Sequence, residues 1–282
     1  MPQFQIIDPG ICEYESAAFH GLLHKVSRRV TNESHRRFLK HVSLLPKKNK
    51  VYLLCTGPNL KDYRDYDFSD GYVVLCNNAV SDMELMGYTQ PDIVVASDPV
   101  YHFGPSRGAT SYRASLNHAA EKHLFFFLTL TRRYNLARRY IDIPDARMGC
   151  VTAHRSAKVD ALGGKWGIPL TENILTLLML PVAFCLANKI YIIGADGRES
   201  NESRFWQHMS TPLVPTQGDS FHQCHPAFFC MRNYNEYYRN HCNTVSDQVR
   251  SIEKAGGSIC SLTPSLIPAL AERQPSAATK KR

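Results

Sequence analysis

The chain has 282 residues, 44% of them hydrophobic and 21% charged, a balance that excludes a disordered or fibrous protein and suits one large domain, alone or with a small subdomain. The 33 Lys and Arg outnumber the 25 Asp and Glu, for a net charge of +8. That excess favours an anionic partner (a nucleotide, an acidic glycan, nucleic acid or an anionic membrane surface) without choosing among them.

The nine cysteines are odd in number and have no even spacing. Cys55, Cys76, Cys185 and Cys260 fall in or near apolar segments, as expected of free thiols in a reducing compartment. Met1 to Asp8 lacks a basic region followed by a long apolar stretch, so no secretory leader is expected. The longest apolar run is about 14 residues and contains Pro181, too short for a bilayer span of ~20 residues.

In chain order, residues 1–14 read as an irregular lead-in. Glu15 to Leu45 has helical periodicity, with Phe19, Leu22, Leu23, Val26, Val30, Phe38, Leu39 and Val42 on one side. The Asn32-Glu-Ser stretch is expected to break it into two helices. Its basic face (Lys25, Arg28, Arg29, Arg36, Arg37, Lys40) reads as solvated. These helices make an N-terminal extension over residues 1–48. The α/β domain, 49–270, opens with a strand at Lys50–Cys55 and a tight turn at Thr56-Gly-Pro-Asn-Leu60. Further strands are expected at Tyr72–Cys76, Asp92–Ser97, Leu124–Leu128 and, shorter, Met148–Thr152, with a helix over Ser111–His123.

The central unit is a helix, Thr171 to Ala187, apolar almost all round and therefore packed inside protein. It runs into a strand, Lys189 to Gly194, whose continuous apolar character suits a parallel strand covered on both faces. The polar stretch that follows, about 197–225, is long enough to read as a lid. A helical region from Phe228 to Lys254, a last strand in Gly256–Leu262 and a short closing helix after Thr263 complete the fold. Residues 271–282 read as a disordered tail. Strands alternating with helices indicate an α/β fold with a single doubly wound, Rossmann-like parallel sheet.

In such sheets ligands bind beyond the carboxyl ends of the strands. Three of those ends carry small polar side chains: Thr56 with Asn59, Asn77 with Asn78, and Ser97 with Asp98. Together they suit the base edge and ribose hydroxyls of a nucleotide, although each alone could cap the next helix. Gly57 and Pro58 shape the first turn, and Gly194 and Asp196 belong to the turn after the central strand. Asn173 sits at the start of the central helix, where free N–H groups suit an anion. Arg198 and Arg204 follow and offer two-pronged donors for phosphate, or are surface residues of a loop. His222 and His225 are candidate bases for a sugar hydroxyl. A metal site built with Cys224 and Cys230 fits no standard zinc spacing. No Walker loop and no dinucleotide glycine fingerprint occurs. The basic residues are not interleaved with aromatics, which argues against nucleic acid.

The ordered set Val51-Tyr-Leu-Leu-Cys-Thr-Gly-Pro-Asn-Leu60, Cys76-Asn77, Ser97-Asp-Pro99, Ile190-Tyr-Ile-Ile-Gly-Ala-Asp196 and Ser220-Phe-His-Gln-Cys-His225 resembles the bacterial family 42 sialyltransferases. It also resembles the wider group with a Gly-Pro-Ser-Leu start, which includes flagellin-modifying glycosyltransferases and archaeal pterin pyrophosphokinases. The resemblance covers about residues 50–265.

It implies a GT-A-like variant of the fold and an inverting transfer of a sugar acid, sialic acid or a related nonulosonate, from a CMP-linked donor to a glycan hydroxyl, with no metal. It would place Asn77 on the nucleotide, the Thr56–Asn59 turn near phosphate or ribose, and His222 or His225 as general base. Arg198 and Arg204 stand where the family has two phosphate-binding tyrosines, Asp98 where it has an asparagine, and Thr171-Glu-Asn173 where it has Thr-Ser-Gly. A Mg²⁺-dependent pyrophosphokinase using Asp98 and Asp196 and a non-catalytic nucleotide-binding protein are the alternatives. A cytoplasmic location is expected, with peripheral contact at the inner membrane face through the basic surface and homo-oligomerisation as further options.

Overall fold

The computed structural model describes residues 28–99, 101–104, 107–160, 162, 166–199 and 233–275. Its centre is an eight-stranded sheet: β1 (Lys50–Leu54), β2 (Tyr72–Cys76), β3 (Ile93–Val95), β4 (Phe126–Leu130), β5 (Met148–His154), β6 (Gly167–Pro169), β7 (Lys189–Ile193) and β8 (Ser258–Ser261), in the order β6-β5-β4-β3-β2-β1-β7-β8. Every pairing is parallel. The chain builds outward from β1 to β6, then returns to place β7 on the other side of β1. The order therefore reverses between β1 and β7, the switch point at which α/β sheets open a crevice beyond their carboxyl ends.

The strands are buried on both faces. Val51 and Leu53 of β1 join one core while Tyr52 and Leu54 join the other, the period of two expected of a strand. On the first face lie α1 (Arg28–Leu44), α5 (Leu180–Leu186), α6 (Tyr234–Lys254) and α7 (Pro268–Ala271); on the second lie α2 (Met83–Thr89), α3 (Arg107–Lys122) and α4 (Thr131–Tyr140).

Helix α1 runs unbroken through Asn32-Glu-Ser, where a break was expected. Ser34 is fully buried against the Cys150 thiol, and Glu33 pairs with Arg29 one turn earlier, so the polar residues have partners without leaving the helix. Arg37 is not on the solvated face either. It donates to the Met148 carbonyl, the Ser34 hydroxyl and the Tyr134 hydroxyl. β6 pairs only with Thr152–His154 of β5, so α1 lies along the rest of that strand and covers a carbonyl that would otherwise face water. Phe38 packs edge-on to Phe126 in the main core, which makes α1 part of that core.

β4 begins at Phe126 and leaves Leu124 79% exposed. The Phe126 amide donates to the Asp92 carbonyl, and that bond sets the register two residues later than the apolar run suggests. The turn expected at Thr56–Leu60 continues as a 3₁₀ helix, Pro58–Asp65. At the other end Arg273 pairs with Glu253, and its carbonyl accepts the Ser261 amide. Residues 271–273 are thus anchored rather than part of a loose tail.

The central helix starts later and differently than its apolarity suggests. Leu175–Met179 is a π-helical turn, closed by the Leu180 amide donating to the Leu175 carbonyl, and α5 follows. Pro181 explains it: the ring has no N–H and crowds the preceding turn. In π spacing the Thr176 carbonyl would look to residue 181 for a donor and find proline. The side chain of Gln248, on α6, fills the gap at 2.8 Å. No helix among the described residues is long and apolar enough to cross a membrane. The described cysteines, Cys55, Cys76, Cys150, Cys185, Cys242 and Cys260, are free.

Candidate functional site

The loops after β1 and β7 interlock. The ladder continues past both strands, with the Cys55 amide on the Ile193 carbonyl and the Gly57 amide on the Gly194 carbonyl, each at 2.9 Å. The Asp196 carboxylate then accepts the Asn59 amide at 3.1 Å, at the start of the 3₁₀ helix. A Cβ on Gly57 would sit 2.0 Å from Asp196 Oδ2 and 2.5 Å from the Gly194 carbonyl, so this approach requires glycine.

Gly194 and Gly197 have φ of +71° and +74°, the left-handed turn that glycine adopts without strain. The segment after β8 pins the same loop. Thr263 Oγ1 accepts the Gly194 amide, Ser265 donates to the Ala195 carbonyl, the Leu266 amide donates to the Asp196 carbonyl, and Asn59 Nδ2 donates to the Pro264 carbonyl.

A cleft opens at this switch point. From β1 it takes Cys55, Thr56, Gly57 and Pro58; from β2, Cys76 and Asn77; from the start of the π turn, Asn173, Ile174 and Leu175; from β7, Gly194 to Gly197; and from beyond, His241 and Ile267. Asn77, the first residue beyond β2, has φ of +50°, a conformation that asparagine tolerates better than most residues. The side chains of Thr56 and Asn77 make no hydrogen bond within the described protein. Asn173 uses Oδ1 to accept the Leu175 amide, which leaves its NH₂ for a ligand. The lining among described residues contains no cationic side chain apart from the ionisable His241.

His241 is missing from the sequence reading. It is 6% exposed, and burial lowers its pKa to about 4, so the imidazole facing the cleft is neutral at physiological pH. Ile267, from the segment after β8, is the other unforeseen contributor. His241 lies on the buried stripe His241, Val245, Gln248, Val249, Ile252 of α6, so its helical spacing marked it as inward-facing. Its neighbours in space come from distant parts of the chain.

The other predicted residues divide. Gly57, Pro58, Gly194 and Asp196 line the cleft with Thr56, Asn77 and Asn173; Asn59 is bound to Asp196 at its edge. Asn78 is buried and donates to the Tyr101 hydroxyl at 2.7 Å. Ser97 and Asp98 lie outside the cleft lining. The Ser97 carbonyl accepts from Arg133, and Asp98 Oδ1 accepts the Tyr101 amide as a local cap.

Arg198 is 2% exposed and also outside the lining. Its guanidinium lies over the rings of Tyr234 and Tyr238 at 4.9 and 5.0 Å and donates to Asn235 Oδ1 at 2.6 Å, while its amide donates to the Tyr238 hydroxyl. It fastens the β7 loop to α6. Arg204, His222 and His225 lie outside the described residues, as does all of the expected lid beyond residue 199. Asp98 and Asp196, the pair of the metal-dependent alternative, are separately engaged, and the described residues contain no group of three His, Cys, Asp or Glu placed to hold a metal ion.

No known family matches the sequence, and no curated protein matches it. Among solved structures the chain is similar to the sialyltransferase CST-II in complex with a trisaccharide acceptor and CMP. The identity is 14%, the TM-score 0.48, and the match covers 83% of this chain and 89% of that one.

Proposed function

We propose that the protein is a glycosyltransferase that moves a sugar acid, sialic acid or a related nonulosonate, from a CMP-activated donor to a glycan hydroxyl with inversion. One observation carries the reading: Thr56, Asn77 and the NH₂ of Asn173, without partners among the described residues, line one cleft at the switch point of a doubly wound sheet. Groups of that kind suit the amide edge of a pyrimidine and the hydroxyls of ribose. The ordered strand-end motifs support the same assignment.

In this mechanism Asn77 holds the nucleotide, and the Thr56–Asn59 turn and the Gly194–Gly197 loop flank its ribose and phosphate. The acceptor hydroxyl oxygen attacks the anomeric carbon from the face opposite the nucleotide. The bond to the phosphate oxygen breaks with its electron pair, and CMP leaves. His222 or His225 takes the hydroxyl proton. Arg204 stabilises the charge growing on the phosphate, and a closed lid keeps water from the donor. Arg198 acts by position, holding the β7 loop against α6.

The test is transfer from CMP-sialic acid by the His222→Ala and His225→Ala variants, with CMP binding measured in parallel. One variant should lose transfer and keep CMP binding. Unimpaired transfer in both would remove the general-base assignment.

A further inference from the structure

Two thiols of the cleft lining face each other. β1 and β2 are in register at Leu54 and Leu75, so the next residues, Cys55 and Cys76, stand opposite one another on neighbouring strands ~4.8 Å apart. Both belong to the first core and both line the cleft. The Cys55 thiol donates to Met179 Sδ, in the π turn, at 3.7 Å and hydrogen-bonds with the Cys76 thiol. Cys55 therefore joins three sulfurs, from the ends of β1 and β2 and from the π turn. Other described cysteines have oxygen partners instead: Cys150 meets the Ser34 hydroxyl and Cys242 the Tyr238 hydroxyl.

We propose that Cys55 and Cys76, as thiolates, and Met179, as a thioether, form a binding site for a soft monovalent cation of the Cu(I) class. A trigonal ion with metal–sulfur bonds of ~2.3 Å holds its sulfurs roughly 4 Å apart, and the Cys55–Met179 separation of 3.7 Å is close to that. Mixed thiolate and thioether ligands select Cu(I), whereas zinc takes thiolate, imidazole or carboxylate. The described residues contain no group of three His, Cys, Asp or Glu placed to serve zinc.

Cys55 is 7% exposed and opens on the cleft, which gives the ion a way in. Binding exchanges two thiol protons for one Cu(I), so the core never holds two adjacent bare thiolates. The site lies directly before Thr56 and Asn77 in the chain, yet it uses neither side chain. The inference is independent of the nucleotide reading.

The experiment is a competition for Cu(I) between the full chain and the coloured chelator bathocuproine disulfonate. Excess glutathione is present to keep the metal reduced and to outcompete isolated cysteines. Wild type should withdraw one equivalent of Cu(I) from the chelate and should not retain Zn(II). Even outer partners of a bound metal are worth ~10–100-fold in affinity. Cys55→Ala and Cys76→Ala, which remove direct ligands, should therefore lose roughly a hundredfold or more. Met179→Leu conserves volume and keeps both thiols, so it should fold as wild type and lose about tenfold. A Cys185→Ala/Cys242→Ala/Cys260→Ala variant should still take up one equivalent.

Urea midpoints are recorded for every variant, and if an alanine variant fails to fold the Met179→Leu result decides. Failure of wild type to withdraw Cu(I) would overturn the proposal. So would uptake unaltered in folded Cys55→Ala and Cys76→Ala, which would put the metal on other cysteines. An affinity unchanged in Met179→Leu, or Zn(II) retained as tightly as Cu(I), would refute the soft three-sulfur site. CMP binding is not part of this readout, so a negative result leaves the nucleotide reading standing.

Discussion

Replacing Gly57 with alanine tests how the cleft is held open. The new methyl would fall 2.0 Å from Asp196 Oδ2 and 2.5 Å from the Gly194 carbonyl. A carboxylate could swing aside, but it would abandon the Asn59 amide. The carbonyl is backbone, held by the Gly57 amide itself, so the β1 and β7 loops must separate. A hydrogen bond to a charged acceptor is worth ~1.5–3 kcal/mol, and forcing a methylene into a filled site costs ~1–3 kcal/mol. A loss of about 3 kcal/mol is expected, which for a domain of this size lowers Tm by roughly 6–12 °C. Urea unfolding followed by far-UV circular dichroism measures it, with Gly87→Ala as control. Gly87 is exposed in α2 and a Cβ there meets nothing within 4 Å, so that change should stabilise by about 0.5–1 kcal/mol. Equal midpoints for Gly57→Ala and wild type would refute the interlocked-loop account.

Asn77→Gly should leave unfolding almost unchanged, since glycine accepts φ of +50°, yet it should weaken nucleotide binding at least tenfold in a titration. Gln248→Leu strands the Thr176 carbonyl beside Pro181 and should cost about 2 kcal/mol in chemical denaturation. Burial lowers the pKa of His241 to about 4, so its contribution is present above the unfolded value of 6.5 and is lost as pH falls from there towards 4. That window is worth about 3 kcal/mol at most. The pH dependence of the urea midpoint should be shallower there in His241→Gln; His35 and His41, whose pKa values burial also lowers, keep part of the slope, and Asp92, whose pKa burial raises, opposes it.

The parts of the fold that were legible share a cause. β1, β2 and β7 are continuous apolar runs because parallel strands inside a two-layered cover must be apolar on both sides, and the polar residues at their ends marked the crevice. β6 was not legible: three residues, Gly167–Pro169, carry no period. Helix α1 was divided on paper because Asn32 and Ser34 are poor helix residues in isolation. A buried thiol partner for Ser34 is invisible in a linear reading.

The site divides in the same way. Thr56, Asn77 and the Asp196 turn announce themselves at strand ends. His241 and Ile267 enter the cleft only through the packing of α6 and the segment after β8. Arg198 shows the limit most plainly. Its place after the β7 turn suggested a phosphate ligand, and nothing in the linear order indicated that Tyr234 and Tyr238 would enclose it.

The most direct test of the central claim is calorimetric titration of wild type and the Asn77→Gly and Thr56→Val variants with CMP, CDP, UDP, GDP and ATP, with and without Mg²⁺. A saturable heat for CMP, independent of Mg²⁺ and lost in both variants while their unfolding curves stay intact, is the predicted result. No heat with any nucleotide, or CMP binding indifferent to both substitutions, would contradict a nucleotide site at the junction of β1, β2 and β7.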